Sequence, residues 1–136
     1  MADKVILNSS VIAAIFFKED SSEVAEMAAE SYKLITVDLA IAEVANVAWK
    51  RVMFFDESKE IALKALRRSI NFINGACEVI STRKLLEDAF AIAIADEITL
   101  YDSLFIAASE IEKVPLLTTD GKLYEEVKSK RNVKRI

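Results

Sequence analysis

The chain has 136 residues, 53% of them hydrophobic, with two Gly, one Pro, one Cys, no His and a net charge of −4. Residues 1–136 are expected to form a single domain, a length that buries about two thirds of the surface an unfolded chain exposes. This composition excludes disorder, a disulfide framework, histidine-based acid–base or nucleophile chemistry, and an ordinary zinc centre.

No stretch approaches the roughly 18 apolar residues of a membrane span, and Met1-Ala2-Asp3-Lys4 places an acid before a short apolar run. A soluble cytoplasmic protein with no membrane partner is therefore expected. Charge is segregated along the chain: residues 49–77 and 127–136 are net basic and the remainder net acidic. A basic rim around an acidic, cation-holding centre suits a phosphodiester substrate.

In chain order, Lys4 to Leu7 reads as a strand, and Asn8-Ser9-Ser10 as a cap for a helix over Val11 to Phe17. A second helix is expected from Ser22 to Ser31, with Val24, Met27 and Ala28 as its buried stripe. Leu34 to Val37 reads as a strand, followed by a helix over Leu39 to Phe54 capped by Asp38. On it Glu43, Asn46 and Lys50 share a polar stripe. A basic amphipathic helix is expected from Asp56 to Asn74, ending at Gly75, and Glu78 to Ile80 is a third strand.

Ser81 or Thr82 starts a helix whose second half, Ala89 to Ala95, is apolar nearly all round and hence expected to be buried. Thr99-Leu100-Tyr101-Asp102 has capping-box spacing and opens a helix to about Glu112. Pro115 to Thr118 is a strand, Asp120-Gly121 a turn, Leu123 to Ser129 the last helix, and Val133 to Ile136 an edge strand. Short apolar strands alternating with helices imply a parallel sheet covered on both faces, with ligands gathering beyond the carboxyl ends of the strands.

Asn8 and Asp120 stand at such ends. Each candidate also has a local role available: Asn8 as a helix cap, Asp102 as the acid of a capping box, Asp120 as the first residue of a turn. Glu43 has none, being a carboxylate among Ile41, Ala42, Val44 and Ala45. Surplus aromatic residues, Phe16, Phe17, Trp49, Phe54 and Phe55, point to association with a partner.

The segments Ile6-Leu7-Asn8-Ser9-Ser10, Ala42-Glu43-Val44-Ala45-Asn46, Thr99 to Ala107 and Leu117-Thr118-Thr119-Asp120 resemble, in order, the four motifs of PIN-domain nucleases. The likeness is strongest to the VapC toxins of prokaryotic toxin–antitoxin pairs. It implies a three-layer α/β/α sandwich with a short central parallel sheet, and hydrolysis of RNA with Mg2+ or Mn2+. By position it implies Asn8, Glu43, Asp102 and Asp120 as metal ligands, with Glu43, Asp102 and Asp120 catalytic and Ser10 and Thr118 as supporting hydroxyls. The proton-accepting carboxylate is either Asp102 or Glu43.

A homodimer and a cognate antitoxin are further implications. The departure is Asn8, where the family pattern has Asp: an amide oxygen still ligates a hard cation but brings no charge. A weak or inactive enzyme is thus expected. The alternatives are a non-catalytic PIN-like module binding RNA or protein and, less favoured, a receiver-like signalling domain.

Overall fold

Five short strands, β1 (Lys4–Leu7), β2 (Lys33–Val37), β3 (Cys77–Ile80), β4 (Leu116–Thr118) and β5 (Val133–Arg135), form one parallel sheet in the order β3-β2-β1-β4-β5. The structure is a computed structural model and describes residues 3–136; Met1 and Ala2, on which part of the N-terminal reading rests, lie outside the described residues. The central strand β1 supplies Val5, Ile6 and Leu7, all buried, because parallel strands covered on both faces have no wet side. Its register aligns Ile6 with Ile35 on one side and with Leu116 on the other.

Among the described residues seven helices flank the sheet: α1 (Ser9–Phe16), α2 (Ser22–Ser31), α3 (Leu39–Phe54), α4 (Lys59–Ala76), α5 (Thr82–Asp96), α6 (Leu100–Glu112) and α7 (Gly121–Val127). Helices α1 to α4 pack on one another and α5 packs on α6, while α1 lies on β1 and β4 and α6 on β1 and β2. The expected α/β/α sandwich is the fold. Helix α6 is its most deeply set helix, with Ser103 to Ser109 buried without interruption. Two buried hydroxyls are satisfied by main-chain carbonyls, Thr36 donating to Leu7 O at 2.9 Å and Ser103 to Thr99 O at 2.8 Å. Among the described residues no helix is long and apolar enough to cross a membrane.

Several local expectations are corrected. Helix α1 begins at Ser9, because Asn8 itself is the N-cap. In α2 the buried residues are Ala25 and Ala28, while Val24 and Met27 are exposed: the small face lets α2 sit close against α1. Asp38 does not cap α3; its carboxylate instead accepts from the backbone N–H and hydroxyl of Thr82, tying the start of α3 to that of α5. Helix α4 starts at Lys59 under a Ser58 cap, since Asp56 has a left-handed φ of 57° that ends the preceding segment. Gly75 lies inside α4, which runs directly into β3. Helix α7 starts at Gly121, with Asp120 as its cap. The second half of α5 is not buried all round: only Ala89 and Ile92 are covered there, and Phe90 and Ile94 face outward.

Candidate metal centre

Because β1 and β4 are parallel neighbours, their carboxyl ends open side by side, and the residues that follow them meet. Asn8 is 5% exposed and donates its backbone N–H to Leu117 O at 3.0 Å. Its Oδ1 accepts from Ser10 N at 3.2 Å, capping α1, and from the Ser9 hydroxyl at 3.1 Å. Its Nδ2 donates to Thr118 Oγ1 at 3.4 Å.

Ser10 and Thr118 latch the two strand ends together. The Ser10 hydroxyl oxygen accepts from Thr119 N at 3.2 Å and lies 3.3 Å from Thr118 Oγ1, which accepts from Asp120 N at 3.0 Å. Asp120 is thereby fixed at its backbone. Its Oδ1 caps α7 by accepting from Lys122 N at 3.0 Å and Leu123 N at 3.1 Å, so both cap bonds go to a single carboxylate oxygen.

Glu43 and Asp102 arrive from helices. Glu43 projects from α3 and accepts from the Ser9 hydroxyl at 2.8 Å, so Ser9 bridges it to Asn8. Asp102 stands in the first turn of α6, where Thr99 accepts from its backbone N–H at 3.1 Å, and it is only partly exposed. Asn8, Ser9, Ser10, Glu43, Asp102 and Asp120 all line one open cavity of about 680 Å3. Asn46 and Lys50, the rest of the polar stripe on α3, complete one wall and Tyr101 stands at another. All four residues singled out from the sequence are brought together.

The electrostatics show that these carboxylates oppose one another. Burial pushes the Glu43 carboxyl above its ordinary value; the Ser9 hydrogen bond opposes that and the charge of Asp102 adds to it. Asp102 is also raised, first by burial and then by the charge of Asp120, against the pull of Thr99 and Lys122. The ion pairs found among the described residues join Arg51 to Glu19, Lys128 to Glu125, and Arg131 to Asp96 and Glu110. None involves Glu43, Asp102 or Asp120.

An all-oxygen set of acids without a cationic partner fits a hard divalent ion in kind. It does not form a cage: among the described residues no three acidic side chains are gathered tightly enough to hold an ion by themselves. That matches the habit of Mg2+, which takes one or two carboxylates and fills its remaining positions with water and substrate oxygens.

Ser9 is the residue that sequence reasoning missed. It was grouped with its neighbours as a capping segment, and nothing local in Asn8-Ser9-Ser10 distinguishes a cap from a bridge to residue 43. The surplus aromatics divide: Phe17 is buried, Phe16 packs edge-on against Phe72, and Trp49, Phe54 and Phe55 are exposed.

Comparison with known proteins identifies the family and the fold. A family model described as the PIN domain matches residues 5–128. The chain is 36% identical over 124 residues to Ribonuclease VapC3 of Pyrobaculum aerophilum, covering 90% of this chain and 94% of that protein. Among solved structures, PAE2754 from Pyrobaculum aerophilum superposes with a TM-score of 0.72 at 20% identity, over 99% of this chain and 92% of that one. A chain of a toxin–antitoxin complex from Klebsiella pneumoniae superposes with a TM-score of 0.64 at 14% identity, over 96% and 95% of the two chains.

Proposed function

The chain belongs to the PIN-domain family, and from that membership we propose that it is a VapC-like ribonuclease whose site at Asn8, Glu43, Asp102 and Asp120 works with Mg2+ or Mn2+. The observation that carries this reading is the convergence of those four residues, from four distant segments, on one cavity at the carboxyl ends of β1 and β4. The absence of His is then no obstacle: a divalent ion held by these residues would supply the Lewis acidity that polarises a phosphate and acidifies a water.

The chain's own groups supply placement and charge. Glu43, accepting from Ser9, and Asp102, held at its backbone by the α6 cap, both line the cavity, where either carboxylate can hold a cation or take a proton from a water. Asp120 is oriented by the α7 cap it makes. Lys50 on the cavity wall and Arg135, whose guanidinium lies over Gly121 beside Asp120, offer cations to the flanking phosphates of a strand.

The setting proposed is a cytoplasmic toxin that acts on RNA as a homodimer and is restrained by a cognate antitoxin. Likeness to a chain of a toxin–antitoxin complex supports the antitoxin. The exposed Trp49, Phe54 and Phe55 supply apolar surface for a protein partner.

Asn8 favours one other reading, a PIN-like module that binds RNA or protein without cutting. Cleavage of RNA by this chain and by Asn8→Asp, with Mg2+ or Mn2+, tests both. Cleavage that appears or strengthens in Asn8→Asp is the expected result; no cleavage by either, with the fold intact and RNA still bound without metal, establishes the binding module instead.

A further inference from the structure

Gly121 opens α7 without a left-handed φ, so the backbone there accepts a side chain. What requires glycine is a neighbour. A Cβ built on Gly121 would lie 2.8 Å from Cζ of Arg135 and 2.9 Å from both Nη1 and Nη2, too close for non-bonded atoms. Three guanidinium atoms at nearly one distance put the flat face of that group over the glycine, and the missing side chain makes its seat.

Arg135 reaches the seat from the edge strand. β5 lies on the side of β4 away from β1, with Arg135 in register with Thr118, and Ile136 N donates to Thr118 O at 3.0 Å. The side chain therefore comes to Gly121, next in the chain to Asp120, from the flank opposite Asn8. Arg135 is exposed, and none of the ion pairs found among the described residues involves it. Its charge is placed but uncommitted. A guanidinium holds phosphate through paired N–H donors in one plane, and a group resting one face on a glycine keeps its outer edge open for that.

We propose that Gly121 and Arg135 form a clasp for one phosphate of an RNA strand beside the reacting linkage, with Gly121 acting only by leaving room for the guanidinium. Other residues line the acidic cavity, so the clasp takes a flanking phosphate and not the one at the metal centre. It thereby selects a polynucleotide over a lone phosphodiester, and reads no base. The clasp rests on the ribonuclease reading above and adds to it a positioning role for a residue that has no side chain.

Fluorescence anisotropy of a labelled oligouridylate of about 12 nucleotides, titrated with the full-length chain in Ca2+ at several salt concentrations, tests this without reading cleavage. Arg135→Ala is expected to weaken binding roughly tenfold at low salt and to flatten the slope of log affinity against log salt by about 0.7, the share of one phosphate on a single strand. Arg135→Lys, which keeps the charge and loses the planar fork, should fall between that variant and the wild type. Gly121→Leu should match Arg135→Ala by unseating the guanidinium, without lowering the melting midpoint. In the Arg135→Ala background, Gly121→Leu should cost less than about twofold. Fully additive losses in the double variant refute the clasp, since residue 121 then acts without Arg135. Wild-type affinity and slope in Arg135→Ala refute it outright; if Asn8→Asp still cleaves RNA, the ribonuclease reading stands without it. Absence of both RNA binding and cleavage removes that reading and the clasp together.

Discussion

Replacing Asn8 by Asp changes one atom and one charge at a buried position, and the structure separates what that does to the fold from what it does to the site. The cap of α1 survives, because Oδ1 accepts from Ser10 N and Asp caps helices as well as Asn. The second oxygen takes the place of Nδ2 beside Thr118 Oγ1, whose hydroxyl then turns to donate. A unit charge about 4 Å from a unit of ionic charge is worth up to about 4 kcal/mol at an effective dielectric near 20. Glu43, Asp102 and Asp120 already face the same open cavity, so repulsion and solvent remove much of this. A net gain of about 2 kcal/mol corresponds to roughly 30-fold tighter metal binding. Calorimetric titration with Mn2+ measures it directly. Thermal melts give a second reading: Mn2+ should raise the midpoint of Asn8→Asp by several degrees more than that of the wild type, roughly 6 °C when both sites are filled. In chelator, Asn8→Asp should melt slightly below wild type because a fourth acid then faces the cavity. Equal Mn2+ affinity in the two proteins, with α1 intact by circular dichroism, would falsify the assignment of residue 8 to the metal centre.

Other substitutions probe the remaining parts. Asp120→Asn keeps the α7 cap and should change stability by less than about 0.5 kcal/mol while reducing metal affinity tenfold or more; an equal loss in both properties makes Asp120 a structural residue only. Lys50→Ala should weaken RNA binding at all sequences and lower the slope of log affinity against log salt by about 1, with melting unchanged. Asp102 has a carboxyl raised by burial and by Asp120, and a raised acid stabilises the fold below its unfolded value and loses that contribution as pH rises through the folded one. Asp102→Asn should therefore stabilise the metal-free protein at pH 7, the gain fading as pH falls towards about 4; urea titrations in chelator that show no pH dependence refute this. Arg131 pairs with Asp96, whose side chain is 3% exposed, at 2.8 Å, and that bond, with the charge of Arg131, holds the Asp96 carboxyl below its usual range against burial. Arg131→Ala should cost about 3 kcal/mol near neutrality, less below about pH 4 where the stability contributed by ionised Asp96 is lost in the wild type as well.

The sheet was readable because its strands are short, continuously apolar and punctuated by cap residues. Val5-Ile6-Leu7 before Asn8 and Leu116-Leu117-Thr118 before Asp120 each signal both the strand and its end, and two adjacent parallel strands then bring their ends together. The Thr99–Asp102 cap was readable for a similar reason, since its bond spans three residues. What failed depended on distant partners. Asp38 has the look of a cap for α3, yet its carboxylate serves Thr82, a contact between residues 44 apart. The runs in α2 and α5 show that helical spacing identifies a face without saying which face is inward: alanine occupies the close contact of α2, while Phe90 and Ile94 of α5 are left outside. Ser9 belongs to the same class, because its bond to Glu43 exists only once α3 is folded against α1.

If residue 8 is a metal ligand as proposed, its local structure explains why Asn in place of Asp would leave little trace on the fold. One side chain has two roles here, capping α1 through Oδ1 and presenting its other atom to the Thr118 side of the cavity. Helix capping accepts Asn and Asp almost equally, whereas a divalent ion distinguishes them by a full charge. Folding therefore exerts almost no selection between the two residues, and the site exerts a strong one. The Ser10–Thr118 latch and the Ser9 bridge are assembled around Asn8, so on the proposed reading the cavity would keep its shape while its attraction for a metal fell. Restoring the charge requires no rebuilding of the scaffold, and for that reason the response of metal affinity at constant stability is the sharpest property by which this centre can be recognised.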